Sequence, residues 1–384
     1  MKKLLFLIHD LGYGGAEKVL VNLVNHLDRT QFDITVIALF GGGVNEQFLK
    51  PDIHFRAVWP RNIPGNSKWM KLLSPAQLHR FVVKETYDVE IAYLEGPSTR
   101  VISGCPDPNT QLVCWLHSQQ KTCREIASSF RTQKEAICCY NRYDRIIAVS
   151  QEIKDTFGRL MPLRPRIDVL YNTNETDKIL QLAAEKPEEE FLPHDGFRIV
   201  GVGRLVPVKG FDRLVRIQKK LLDEGYPVGV CLLGEGPERE ALEHYAEKNG
   251  LRNKFVLMGY QTNPYKYVAR CDLFVCTSYS EGFSTAATEA LIVGTPVCTV
   301  EVSGMKEMLG AHNEYGIVTE NEEDALYHAI KSLLDDPQKL QYYRERARER
   351  GKMFCTQTTV RAVEQMLLKL ESQPHTFAEP FVRN

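Results

Sequence analysis

Twice along the chain, short apolar runs alternate with segments of helical periodicity, and a charged stretch separates the two series. In the first series KKLLFLI (2–8), FDITVIAL (32–39), HFRAVW (54–59), YDVEIAYL (87–94), TQLVCWLH (110–117), YDRIIAVS (143–150) and RIDVLYN (166–172) read as strands. GAEKVLVNLVNHL, between the first two, sets Val19, Leu20, Leu23, Val24 and Leu27 on one helical face. The second series runs FRIVGVG (197–203), VGVCLLG (228–234), FVLMG (255–259), LFVCTS (273–278) and TPVCTVE (295–301). Repeated strand–helix units demand parallel sheets with helices on both faces. A length of 384 residues is too great for one ordinary core. The expectation is α/β: two Rossmann-like domains facing an interdomain cleft.

The boundaries follow from where the alternation lapses. Residues 1–175 form the first domain. A charged, proline-containing and partly helical linker covers 176–196, and the second domain covers 197–354. Residues 355–384 close the chain with the helical stretch TVRAVEQMLLKLESQ. Net charge is −1, which argues against nucleic acid as a partner, although 1–175 holds 22 Lys and Arg against 18 Asp and Glu. Ten cysteines include no C-x-x-C pair, so reduced, buried thiols are expected and no metal site. The opening MKKLLFLIHD has too short an apolar stretch for a secretory leader. No run approaches the ~18 apolar residues of a membrane span. These features point to the cytoplasm, at most to the inner face of the cell membrane.

Ligands of open α/β sheets bind beyond the carboxyl ends of the strands, so the loops there are the candidates. HDLGYGGAEKV follows the first strand, and Gly12, Gly14 and Gly15 permit close backbone approach at a helix N-terminus. It is not a dinucleotide fingerprint. GVGRLVPVKGFDRL places Arg204 and Lys209 in one loop, a guanidinium and an ammonium suited to a diphosphate. LLGEGPERE turns at Gly234, Gly236 and Pro237. In SYSEGFSTAATEALIVGTPV, Ser284 or Thr285 caps a helix running to about Ile292, with Glu281 before it and Glu289 inside it. Those carboxylates could hold hydroxyl groups on either side of an anion at the helix end. His117 ends a strand and should face the cleft; a lone histidine is more often structural. No D-x-D, P-loop or G-x-S-x-G pattern occurs.

Taken together, these stretches resemble glycosyltransferase family 4, retaining enzymes of GT-B fold with an E-x7-E motif, here Glu281 and Glu289. The likeness is strongest over 197–320, through VGRLVPVKGFDRLV, LLGEGPERE, VLMGY and EGFSTAATEALIVGTPV. It implies that Arg204 and Lys209 neutralise a donor diphosphate, that Glu289 holds the ribose, and that Glu281 binds the donor sugar. The amides of Phe283, Ser284 and Thr285 would face phosphate or sugar. Gly15 would approach the diphosphate from the first domain, with Gly14 beside it, Gly234 would serve the nucleotide, and His117 would lie near the sugar. The final helix would return to the first domain. Three stretches depart from the family pattern: YNTNE (171–175) at the hinge, Ser284 in place of a glycine, and EVSGMKEML in place of a double glycine.

The expected activity is metal-independent transfer of a sugar from a nucleotide-sugar, a UDP-hexose or UDP-N-acetylhexosamine, with no cofactor. The expected acceptor is a saccharide, lipid-linked, in cell-surface polysaccharide synthesis. RNIPGNSKWMKLLSPAQLHRFVVKE (61–85) interleaves Arg61, Lys68, Lys71, Arg80 and Lys84 with Trp69, Met70, Leu72 and Leu73. That suits an amphipathic helix resting on anionic lipid, or one simply packed on the sheet. YLEGPSTR (93–100) offers Glu95, Ser98, Thr99 and Arg100 to the acceptor or the cleft. A nucleotide-sugar 2-epimerase and a non-catalytic nucleotide-sugar-binding protein are the alternatives.

Overall fold

The computed structural model describes residues 1–62, 65–188, 190–192 and 196–370. They form two compact units. One holds Met1–Thr173 and the segment that begins at Gln357; the other is Asn174–Thr356.

In the N-terminal unit seven strands form one sheet: β1 (Lys2–Ile8), β2 (Phe32–Phe40), β3 (His54–Trp59), β4 (Val89–Ala92), β5 (Gln111–Leu116), β6 (Arg145–Ala148) and β7 (Arg166–Val169). Their order is β3-β2-β1-β4-β5-β6-β7, every pairing parallel. Leu4 to Ile8 in β1 are fully buried, as an unbroken apolar run covered on both faces must be. The C-terminal unit repeats the plan with β8 (Phe197–Val202), β9 (Val228–Leu233), β10 (Phe255–Leu257), β11 (Leu273–Cys276), β12 (Val297–Val300) and β13 (Ile317–Thr319). Its order is β10-β9-β8-β11-β12-β13. Both sheets are therefore doubly wound, as the alternation implied. Each has a switch point where the strand order reverses, between β1 and β4 and between β8 and β11.

Strand β13 goes beyond the expectation. Its three residues are too short to show a period, and only pairing with β12 makes them a strand. Residues 176–196, read as a linker, begin with a helix, Thr176–Ala184, held in the C-terminal unit by Asn263 and Arg270 donating to the Leu182 and Ala183 carbonyls. Residues 189 and 193–195 of that stretch lie outside the described residues. Helix Thr356–Leu368 belongs largely to the N-terminal unit: Lys2 Nζ reaches the Leu367 carbonyl at 3.0 Å, and the Asp28 amide donates to Glu364. The remainder of the expected terminal segment, 371–384, is not among the described residues.

Two readings in the N-terminal unit need correction. The segment 61–85 is not one helix but a turn of helix at Asn66–Trp69, a 3-10 turn at Met70–Leu72 and a helix at Pro75–Val82. Pro75 forces Ser74 out of the helical region, and Ser74 and Gln77 then close a reciprocal cap. Residues 63 and 64 are outside the described residues. Arg100 does not present itself to a ligand: it is 1% exposed, its Nη atoms donate to the Met70 and Leu73 carbonyls at 2.8 and 2.7 Å, and Glu135 pairs with it at 3.0 Å. It pins the broken segment to the helix Pro97–Ile102 that bears it.

Removing one partner of a buried pair leaves the other charge uncompensated, at a cost of 3–5 kcal/mol for a fully buried case. Because Glu135 is partly exposed, Glu135→Ala is expected to lower stability by about 3 kcal/mol. Urea unfolding checks this; a loss below about 0.5 kcal/mol would return Arg100 to the pool of available cations.

Candidate active site

In the C-terminal unit the loops after β8 and β11 meet at the switch point. After β8 the chain passes Gly203 and Arg204 into a 3-10 turn, Pro207–Lys209, and then helix Phe211–Asp223. Gly210 joins turn and helix at φ +61, a left-handed conformation, and a Cβ there would lie 2.4 Å from the Thr277 carbonyl. Thr277 returns the contact, its hydroxyl donating to the Lys209 carbonyl at 2.7 Å, and the Tyr279 amide donates to the Val208 carbonyl. Lys209 Nζ then sits 2.6 Å from Glu281 Oε1, and the Ser278 hydroxyl donates to the same oxygen at 2.5 Å. Two residues assigned from sequence to different parts of a donor, 72 positions apart, are one ion pair in this structure.

Arg204 lies at the rim, exposed, with no ion pair among the described residues. Its neighbours explain the glycines of the β9 loop. Leu205 donates to the Glu235 carbonyl and accepts from the Glu238 amide. A Cβ on Gly234, at φ +147, would stand 1.9 Å from the Gly203 carbonyl, and one on Gly236 2.3 Å from that of Leu205. On the side where a Cβ would point, Gly234 is closed off by the backbone of the Arg204 loop. Gly234 sets the position of that loop.

Ser284 is the N-cap, accepting from the Ala287 amide, and helix Thr285–Ile292 follows. The Phe283 ring is buried against Phe354 and the space over Gly304, which leaves its backbone as the part able to meet a ligand. Thr285 is partly exposed at the first helical position. Glu289, a turn further in, is 7% exposed, and the Tyr265 hydroxyl donates to it at 3.3 Å.

The N-terminal unit carries a second set of strand-end residues. Gly14 is the N-cap of helix Gly15–His26 and offers no side-chain cap. A Cβ on Gly14 would collide with the carboxylate of Glu17, so the chain's own anion lies over this helix end. The loop before it is held by the Gly12 amide donating to Asp10 and by Asn45 donating to the Gly12 carbonyl. His117 follows β5. Its ring packs 4.8 Å from that of Tyr93, its backbone amide donates to Glu95 at 2.8 Å, and its Nε2 is buried with no partner among the described residues. Burial pushes its pKa down to about 3, so the imidazole is neutral near pH 7. Burial also raises that of Glu95, against the opposing effect of the His117 amide and the Ser118 hydroxyl. Glu95 therefore orients the His117 loop.

Among the described residues, His79, Glu90 and Cys105 place candidate metal-ligating atoms within 4.8 Å of one another in the N-terminal core. His79 and Glu90 already satisfy each other at 2.7 Å, and burial raises the Cys105 thiol to about 12. Sequence reasoning passed over Ser278, Thr277, Tyr265 and Arg213. Ser278 stands in the stretch that holds both glutamates, but a serine three residues before an acid carries no signal until the loop closes on Lys209.

Two family models match the chain: Glycosyltransferase Family 4 over residues 13–178 and Glycosyl transferases group 1 over residues 183–350. The chain is a glycosyltransferase of the family 4 type. Among curated relatives, this glycosyltransferase is 27% identical over 371 residues to the N-acetylgalactosamine-N,N'-diacetylbacillosaminyl-diphospho-undecaprenol 4-alpha-N-acetylgalactosaminyltransferase of Campylobacter jejuni, covering 92% of this chain and 96% of the relative. It is 26% identical to the lipopolysaccharide core biosynthesis glycosyltransferase LpsD of Rhizobium meliloti, over 86% and 88% of the two chains. Its fold is GT-B, like that of Anabaena HepE, solved with UDP (TM-score 0.73, 21% identity, 96% of this chain and 100% of that one). It is also like that of sucrose-phosphate synthase from Thermosynechococcus elongatus (TM-score 0.78, 18% identity, 96% and 99%). The 2-epimerase and the non-catalytic alternative are not favoured by these matches.

The depressed His117 pKa makes a prediction for stability. Between its unfolded value near 6.5 and its folded value near 3 the unfolded chain binds a proton that the folded protein refuses. The contribution from neutral His117 is thus full above about pH 6.5 and is lost as pH falls toward 3. His117→Asn should flatten the fall in urea midpoint between pH 7 and pH 4. An unchanged slope would mean the imidazole is protonated in the folded state.

Proposed function

We propose that the glycosyltransferase takes its sugar from a UDP-sugar, a UDP-hexose or UDP-N-acetylhexosamine, and passes it to a saccharide acceptor with retention of anomeric configuration. The observation that carries this reading is the Lys209–Glu281–Ser278 cluster at the second switch point, with Glu289 buried a turn beyond the adjoining helix N-terminus. Cations, free helix amides and two carboxylates are what a nucleoside diphosphate bearing a polyhydroxyl group requires. UDP stands in the solved HepE structure of the same fold.

In this reading Arg204 swings in from the rim and Lys209 leaves Glu281 for the diphosphate. Glu281, still held by Ser278, accepts from the donor sugar hydroxyls, and Glu289 accepts from the ribose. The bond between the anomeric carbon and the diphosphate oxygen breaks, and its electron pair stays on that oxygen. The acceptor oxygen bonds to the anomeric carbon on the same face, and its proton departs with UDP. The negative charge that builds on the diphosphate meets these two cations and the helix-end amides, which lower the barrier without a metal. His117, neutral, is suited to hydrogen bonding with the sugar rather than to ion pairing.

The acceptor reading is lipid-linked, in keeping with the C. jejuni relative, whose name specifies a diphospho-undecaprenol substrate. No helix among the described residues is long and apolar enough to cross a membrane. In this reading the described part of 61–85 would meet the membrane: Leu72 is 79% and Phe81 49% exposed, Phe81 stacks on Trp59, and Lys68, Arg80 and Lys84 are exposed. These features support our reading that the reaction takes place at the inner face of the cell membrane.

Four outcomes test the proposal. Calorimetry should show UDP binding that survives EDTA; loss of binding with EDTA would restore a bridging metal. Glu281→Gln should cut transfer by about 10²–10³-fold while UDP still binds, and unchanged transfer would remove Glu281 from the site. Glu289→Ala should weaken UDP itself, equal affinity being the refuting result. Vesicles rich in anionic lipid should retain the wild type and release Leu72→Glu.

A further inference from the structure

Arg213 lies one turn beyond Lys209 and is 2% exposed, yet among the described residues it forms no ion pair. The carboxylates beside it, Asp212 and Glu323, are taken by Arg216. The Arg213 donors go instead to neutral oxygens. Nε reaches the Thr277 carbonyl at 2.8 Å, Nη2 reaches the carbonyls of Thr277 and Ser278, and Nη1 reaches Asn321 Oδ1 at 2.9 Å. The Tyr279 ring covers its face at 4.2 Å.

A buried guanidinium with no carboxylate is costly to fold around, and a leucine or methionine would fill the space at lower cost. What the guanidinium adds is a planar fork that holds two successive carbonyls at once. Those carbonyls belong to the residues just before Glu281, and Ser278 is the residue whose hydroxyl holds Glu281. The helix that bears Arg213 starts at Phe211 and has as its N-cap Gly210, directly after Lys209. Arg213 therefore ties the backbone that carries the diphosphate cation to the backbone that carries the sugar-binding carboxylate.

We propose that Arg213 is a positioning residue for the transfer reaction, which sets Glu281 and Ser278 in register with Lys209 without touching the substrate. This rests on the donor-site reading of Lys209 and Glu281 given above. Displacing a reactive group by about 1 Å can cost ~10²-fold in rate. The signature of Arg213 is accordingly a loss in kcat, with UDP, which lacks the sugar that Glu281 holds, bound nearly as before.

The experiment measures kcat, KM and UDP affinity for Arg213→Met, Arg213→Lys, Glu281→Gln and the double variant Arg213→Met/Glu281→Gln. The full chain is used at a temperature well below every melting midpoint, with the UDP-sugar that the wild type turns over fastest. Arg213→Met should lose about 10²-fold in kcat and keep its UDP affinity within about threefold. The double variant should be no slower than Glu281→Gln alone, because both act through one group. Arg213→Lys, which keeps the charge but not the fork, should lose kcat in the same sense and carries the test if Arg213→Met does not fold. An inactive Glu281→Gln together with full kcat in the Arg213 variants would overturn the proposal while the site reading stands. So would losses in the double variant that multiply. Full activity in Glu281→Gln would overturn the site reading and this inference with it.

Discussion

β8 and β11 pair through two positions, Leu273 opposite Ile199 and Phe274 opposite Val200. That short parallel ladder is where the order of the second sheet reverses, with the chain running to β9 and β10 on one side and to β12 and β13 on the other. Connections on the two sides leave toward opposite faces, so the loops after β8 and β11 are left facing each other with no helix between them. Lys209 comes from one loop and Glu281 from the other. The first sheet repeats the reversal between β1 and β4, with the glycine loop of Gly12–Gly15 after one strand and Glu95 after the other.

Charge is then distributed by burial. Arg100, deep in the N-terminal unit, is met by a carboxylate and two carbonyls, and its work is structural. Lys209 and Glu281 are only partly covered and satisfy each other. Their pairing preserves the charges where a ligand can exchange for either partner, since an ion pair near a surface is worth little net free energy. Arg213 is buried without a counter-ion. In sequence order Arg204, Lys209 and Arg213 make a series from exposed to buried: Arg204 is exposed, Lys209 is paired with Glu281, and Arg213 is committed to the loop.

Much of this was legible in the residues. The short apolar runs predicted twelve of the strands, because strands buried on both faces read as continuous apolar stretches and their alternation with longer helical segments sets them apart. Ser284 or Thr285 announced the helix through capping chemistry, Ser284 being the cap in the structure, and the spacing of Glu281 and Glu289 placed one acid outside that helix and one inside. Other features had no local signature. β13 has three residues and exists by virtue of its neighbour. The break within 61–85 followed from Pro75 but was masked by a persuasive pattern of basic and apolar residues. Gly234 carried no sign in the sequence that the Gly203 carbonyl would lie where its Cβ would stand.

The sequence by itself determined the class of fold, the two-part plan and the residue types that a phosphorylated sugar would need, because periodicity, capping and charge are local properties of a chain. Only the tertiary structure decided that Lys209 and Glu281 are partners, that Arg100 is locked away while Arg204 stays exposed, and that Arg213 and Ser278 bond within the loop that carries Glu281. Those relations depend on strand order at a switch point and on which side chains lose water, and neither is written in any short stretch of residues.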